Sequence, residues 1–88
     1  MTGSFRIDFC NIRGLRSNFF SVYAHICLHR PDVFALCETQ VSDDADPQDF
    51  HIPGYQFLSL FIFHRGLVLY ILENVVYQYQ QHLNRSEE

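Results

Sequence analysis

The chain contains no lysine. Its positive charge rests on six arginines against ten Asp and Glu residues, for a net charge of −4 over 88 residues. A freestanding nucleic-acid binder neutralises phosphates with a basic face, so this balance speaks against tight DNA binding by these residues alone. It leaves room for a metal-centred phosphodiesterase, in which acidic groups hold the cation. Cysteine is also scarce: Cys10, Cys27 and Cys37 are odd in number and show no C-x-x-C spacing. Each lies in an apolar run, which predicts buried, reduced thiols in an intracellular chain. A zinc site built from Cys10, Cys37 and a histidine is the sharper alternative and the weaker one.

An uninterrupted apolar run is missing as well. Arg6, Asp8 and Asn11 break up the N-terminus, which therefore carries no signal core. Tyr55–Leu72 has the length of a membrane span, but Gln56, His64, Arg65 and Gly66 lie within it. A buried arginine alone would cost roughly 2.5–3.5 kcal/mol there. Two strands joined by a turn at His64-Arg65-Gly66 fit better, and no membrane segment is expected.

What is abundant is apolar and aromatic surface: 48% of the residues are hydrophobic, with nine Phe and five Tyr. That argues against disorder. A domain of this size buries only about 60–65% of its unfolded surface, so much aromatic area implies further sequence or a partner to cover it.

Polar residues close two of the apolar runs. Asn11 ends Phe5–Asn11, and Glu38 ends Val33–Glu38. The first run alternates, with Phe5, Ile7 and Phe9 on one face and Arg6, Asp8 and Cys10 on the other. Gly14 breaks the chain, and Ser17 or Asn18 offers a helix N-cap. Apolar residues then recur at helical spacing (Phe19, Phe20, Val22, Tyr23, Ile26, Cys27) until Pro31 stops the helix. Strand, helix, strand predicts a βαβ unit with parallel strands. Asn11 and Glu38 would emerge side by side at the carboxyl edge of the sheet, where open α/β sheets place their sites. An amide oxygen beside a carboxylate suits a hard cation and a phosphate.

Residues 42–54 read as a loop. Its four aspartates lack the glycine and distal glutamate of an EF-hand, so a solvated loop is favoured over calcium. Tyr55–Phe63 and Leu67–Leu72 form a predicted antiparallel hairpin. The first of these strands has Tyr55, Phe57, Phe61 and Phe63 on one face and Leu58, Leu60 and Ile62 on the other. Val75–His82 could be a short strand or helix, and Asn84–Glu88 reads as a polar tail. His25 and His29 lie one turn apart, on what is expected to be a solvated helix face.

Four segments in order carry a resemblance: Asn11-Ile12-Arg13-Gly14-Leu15-Arg16-Ser17-Asn18, Pro31-Asp32-Val33-Phe34-Ala35-Leu36-Cys37-Glu38-Thr39-Gln40, Pro53-Gly54-Tyr55 and Arg65-Gly66-Leu67-Val68-Leu69-Tyr70-Ile71. They resemble the N-terminal part of an endonuclease/exonuclease/phosphatase domain, closest to the apurinic-endonuclease-like domain of non-LTR retrotransposons. The resemblance covers residues 5–74, with 75–88 as a divergent C-terminal segment. It implies an α/β fold, with the βαβ unit and hairpin forming about the first third of a two-sheet, four-layer sandwich. It also implies Mg²⁺ (or Mn²⁺) chemistry on DNA and, in such a parent, a nuclear location. Glu38 would be the metal-binding carboxylate, and Asn11 would orient metal-bound or phosphate oxygens. Arg13 and Arg16 would be candidate phosphate contacts. The family's later Asp-x-Asn and Ser-Asp-His motifs do not occur in this sequence.

The expectation is therefore a truncated phosphodiesterase domain, inactive as an isolated chain and prone to self-association through unpaired strands. The alternative is a non-catalytic interaction module that docks partners through aromatic sheet faces around Phe57, Phe61 and Phe63.

Overall fold

A computed structural model describes residues 4–41, 45–62 and 65–76. The expected α/β order holds. Strand β1 (Ile7–Asn11) leads to helix α1 (Leu15–His29), strand β2 (Val33–Cys37), a short 3-10 helix (Pro47–Phe50), and strands β3 (Tyr55–Ile62) and β4 (Arg65–Leu72). The four strands form one sheet in the order β1-β2-β4-β3. β1 and β2 are parallel, and the other two pairings are antiparallel. The sheet is thus a βαβ unit whose second strand accepts the far strand of a hairpin.

Alternation sets the two sheet faces. Phe34, Leu36, Val68 and Tyr70 point to one side, where Leu15, Val22 and Ile26 of α1 seal a core shared with Phe50, Ile52 and Tyr55. Two buried tyrosines tie the loops to this core. The Tyr70 hydroxyl donates to the Phe50 carbonyl at 2.7 Å, and that of Tyr55 donates to the Pro31 carbonyl at 2.5 Å. The opposite face carries Ile7, Phe9, Val33, Ala35, Leu58, Leu60, Leu67, Leu69 and Ile71 in register across the four strands. Its rim is open: Ile7 and Phe9 on one edge, and Leu58 and Leu60 on the other, are exposed. Val75 and Val76, at the end of a helical turn over residues 73–76, border that face at one end.

The structure corrects five expectations. The open face is not the aromatic one. Phe57 stacks on Phe50 with ring centroids 5.7 Å apart and meets Tyr70 edge-on at 5.4 Å, because the 3-10 helix folds back over that side. Phe63 and the side chain of Phe61 lie outside the described residues.

The helix starts at Leu15, with Gly14 as its N-cap and no side-chain cap. Neither Ser17 nor Asn18 caps it. Asn18 instead sits at a kink (φ −117°), and its amide donates back to the carbonyls of Ile12 (3.2 Å) and Gly14 (2.8 Å).

Cys10 and Cys27 are exposed and Cys37 is half-buried, since β1 is an edge strand and Cys27 lies on the outer flank of α1. In the β1–β2 register Cys10 faces Leu36 while Cys37 faces Asn11, so Cys10 and Cys37 lie on opposite sheet faces.

His25 is half-buried rather than simply solvated: its Nε2 lies 2.6 Å from an Asp8 carboxylate oxygen and its ring packs on Phe34, while His29 is exposed. Finally, Arg65 and Gly66 belong to β4 rather than to the hairpin turn, whose remaining residues 63–64 are outside the described set.

Candidate active site at the carboxyl edge of β1 and β2

Parallel strands that start level also end level. Asn11 lies directly opposite Cys37 at the last register position, and Glu38 follows immediately. The sheet therefore brings the two predicted site residues to adjacent chain ends. Asn11 is exposed and Glu38 half-buried.

The segments beyond the strands are zipped together. Ile12 donates its amide to the Cys37 carbonyl (3.1 Å), Gly14 to Glu38 (2.8 Å) and Leu15 to Thr39 (2.8 Å). Thr39 in turn donates its amide to the Gly66 carbonyl (3.0 Å), anchoring the Glu38 segment to β4. The Asn18 amide bonds described above hold the β1–α1 loop from below. The backbone here is strained: Arg13, Glu38 and Gln40 have φ of 51°, 55° and 58°, in the left-handed region that non-glycine residues rarely occupy. Such residues persist where surrounding contacts over-determine them, and they cluster at functional sites. Here the over-determination is the ladder of four amide bonds.

Arg13 sits in this loop with its side chain exposed. Arg16 turns elsewhere: its guanidinium lies 5.0 Å above the Phe50 ring and 3.5 Å from the Asp49 carboxylate. The structure thus gathers Asn11, Glu38 and Arg13 at one edge, and places Arg16 against the 3-10 helix.

Asn11 and Glu38 offer an amide oxygen and a carboxylate at this edge. Among the described residues no three His, Cys, Asp or Glu side chains converge as a complete metal cage. Two oxygen donors suit Mg²⁺, which keeps several waters and commonly takes only one or two protein carboxylates.

Two features of this region escape a reading of the sequence. Thr39 is almost completely buried, with its hydroxyl unpartnered, at the point where the chain turns over Gly66. Its only signal is its place directly after Glu38. The second is the Asp8–His25 pair beside an open cleft of about 320 Å³, lined in part by Cys10, Asn11, Asn18 and Ser21. Alternation puts Asp8 on the helix side of β1, but its partner depends on the rotation of α1, which the sequence does not fix. Arg6, bonded at 2.8 Å, and then His25 hold the Asp8 carboxyl below its ordinary range.

Comparison with solved structures settles the architecture. The AP endonuclease of Archaeoglobus fulgidus matches 78% of this chain with a TM-score of 0.66 at 25% identity. The fold is a partial AP endonuclease fold. The AP endonuclease of Leishmania major matches the same share with a TM-score of 0.63, also at 25% identity. This chain spans only 28% and 24% of those two proteins. No family model and no curated protein matches the sequence. Among the described residues no helix is long and apolar enough to cross a membrane.

Proposed function

We propose that the chain carries the metal-side half of a Mg²⁺-dependent, AP-endonuclease-like phosphodiesterase site acting on DNA, of the retrotransposon type. The observation that supports this most is the placement of Asn11 and Glu38 at adjoining ends of parallel strands, in a fold shared with AP endonucleases. Glu38 would hold the cation and Asn11 would orient a phosphate or a metal-bound water. When bound, the cation would polarise the scissile phosphate and steady the leaving oxygen. The retrotransposon assignment rests on the sequence resemblance of four segments in order, residues 11–18, 31–40, 53–55 and 65–71. A nuclear location goes with that assignment, where the DNA is. Water activation is left to groups outside these residues, so the 88-residue chain alone should not turn over.

A graft tests the reading. Residues 5–74 would replace the matching segment of the Archaeoglobus fulgidus AP endonuclease, and incision of abasic-site DNA would be followed with and without Mg²⁺. A folded chimera that cuts with Mg²⁺, and loses activity on Glu38→Ala or Asn11→Ala, supports it. A folded chimera whose incision is indifferent to both substitutions, or incision by the 88-residue chain alone, would overturn it.

A further inference from the structure

Asn18 breaks the helix it belongs to. It lies in the first turn of α1, yet its backbone (φ −117°, ψ 15°) leaves helical geometry. The half-buried side chain reaches back to the loop before the helix, where Nδ2 donates to the carbonyls of Ile12 (3.2 Å) and Gly14 (2.8 Å). Carbonyls only accept, so these two fix which end of the amide faces them. Asparagine competes with backbone partners in this manner, which makes it a poor residue within a helix.

The two carbonyls flank Arg13. Arg13 (φ 51°) and Gly14 (φ 110°) are consecutive positive-φ residues that turn the chain from β1 into α1. An arginine bears a steric penalty there that glycine escapes. The residues that Asn18 holds by their carbonyls also donate their amides to the end of β2, Ile12 to Cys37 (3.1 Å) and Gly14 to Glu38 (2.8 Å). Each is gripped from both sides, by α1 through its carbonyl and by β2 through its amide. Glu38 is thus two hydrogen bonds from Asn18, and Asn11 adjoins the held Ile12.

We propose that Asn18 is a positioning residue for the Asn11–Glu38 edge. Its amide holds the Arg13 turn, and the turn holds Glu38 in its left-handed conformation (φ 55°). Asn18 then sets cation affinity at Glu38 without touching the cation or the DNA, as residues behind a metal ligand do. This second step rests on the Mg²⁺ reading proposed above, whereas the first stands on the hydrogen bonds alone. A residue that merely stabilised the fold would move the melting temperature and leave the Mg²⁺ dependence unchanged.

Hydrogen exchange of the 88-residue chain, resolved by residue, tests the first step. Asn18→Leu keeps the side-chain outline, removes both donors and introduces a better helix former. The Ile12 and Gly14 amides should lose roughly tenfold in protection, while those of Ile26 and Leu36 in the core keep theirs. If that variant does not fold, the natural chain decides. Both Nδ2 hydrogens of Asn18 are bonded, so they should exchange roughly tenfold more slowly than those of exposed Asn11. The second step is read in the Archaeoglobus fulgidus chimera. There Asn18→Leu should raise the Mg²⁺ concentration for half-maximal incision roughly tenfold and leave KM for abasic-site DNA unchanged. Unaltered Ile12 and Gly14 protection in folded Asn18→Leu, or Asn18 side-chain exchange as fast as that of Asn11, overturns the proposal. So does a chimera that needs Glu38 yet keeps its Mg²⁺ midpoint in Asn18→Leu. Incision indifferent to Glu38→Ala, with exchange as expected, removes the metal reading and leaves the Asn18 contact with the Arg13 turn standing.

Discussion

Thr39 lies on β4 where Gly66 would otherwise carry a side chain. A Cβ at Gly66 would collide with the Thr39 hydroxyl and sit 3.0 Å from the Gln40 amide nitrogen and 3.1 Å from that of Val41. This close approach lets Thr39 donate its amide to the Gly66 carbonyl and so fixes the segment that begins at Glu38.

Gly66→Ala should therefore destabilise the fold by about 1–3 kcal/mol, because two of the contacted atoms are backbone and cannot rotate away. The opposite change at the contact should be tolerated. Thr39→Val replaces a buried hydroxyl that has no partner with a methyl group, and should be neutral or stabilising by about 1 kcal/mol. Urea denaturation of the two variants checks both signs.

Glu38 occupies the left-handed region at φ 55°. There glycine escapes a penalty of about 1–2 kcal/mol that any residue with a Cβ bears. Glu38→Gly should accordingly be more stable than Glu38→Ala by roughly 1 kcal/mol, allowing for glycine's greater unfolded-state freedom. Both should abolish incision by the grafted enzyme. A matched pair of melting curves and incision rates would show a residue kept for chemistry at the expense of stability. Equal stability of the two variants would remove the strain argument.

Acid should loosen the join between β1 and α1. Arg6 first, and His25 second, hold the Asp8 carboxyl below its ordinary value of 3.8. As pH falls, the unfolded chain takes up the Asp8 proton before the folded chain does. The stabilisation from this group is thus complete above the ordinary value and drains away as pH drops through the lowered one. Asp8→Asn should be less stable at neutral pH and should show a shallower acid limb in a pH series of thermal melts.

Alkali should act through the tyrosines. Burial raises the Tyr70 hydroxyl well above its ordinary value of 10, and raises that of Tyr55 in the same direction. The unfolded chain ionises first, so stability is intact below pH 10 and declines above it as the unfolded tyrosines lose their protons. Tyr70→Phe should flatten that decline. It should also cost about 1–3 kcal/mol at neutral pH, because the buried Phe50 carbonyl loses its donor. Denaturant melts at neutral and alkaline pH separate the two effects.

Local chemistry on this chain wrote the βαβ unit, the hairpin and the two site residues legibly. Period-two alternation marks β1, the apolar run that Glu38 closes marks β2, and Pro31 stops the helix between them. Parallel pairing then makes Asn11 and Glu38 neighbours without further information. The helix start was misread because Asn18 has the composition of a cap, but its amide is used by carbonyls behind it. An apolar run says neither whether its strand lies at an edge, as for Cys10, nor which flank of a helix faces outward, as for Cys27.

The tertiary structure decided what depends on contacts distant in the chain. β4, not β3, lies against β2, because that order lets Val68 and Tyr70 join the core beneath α1. The 3-10 helix covers Phe57 and leaves Leu58 and Leu60 open, since Phe50 supplies an aromatic surface on that side only. Asp8 meets His25, and Thr39 meets Gly66, through helix rotation and loop path, which no spacing in the sequence records. The sequence determined which residues end the parallel strands. Packing decided what holds Glu38 in its strained conformation.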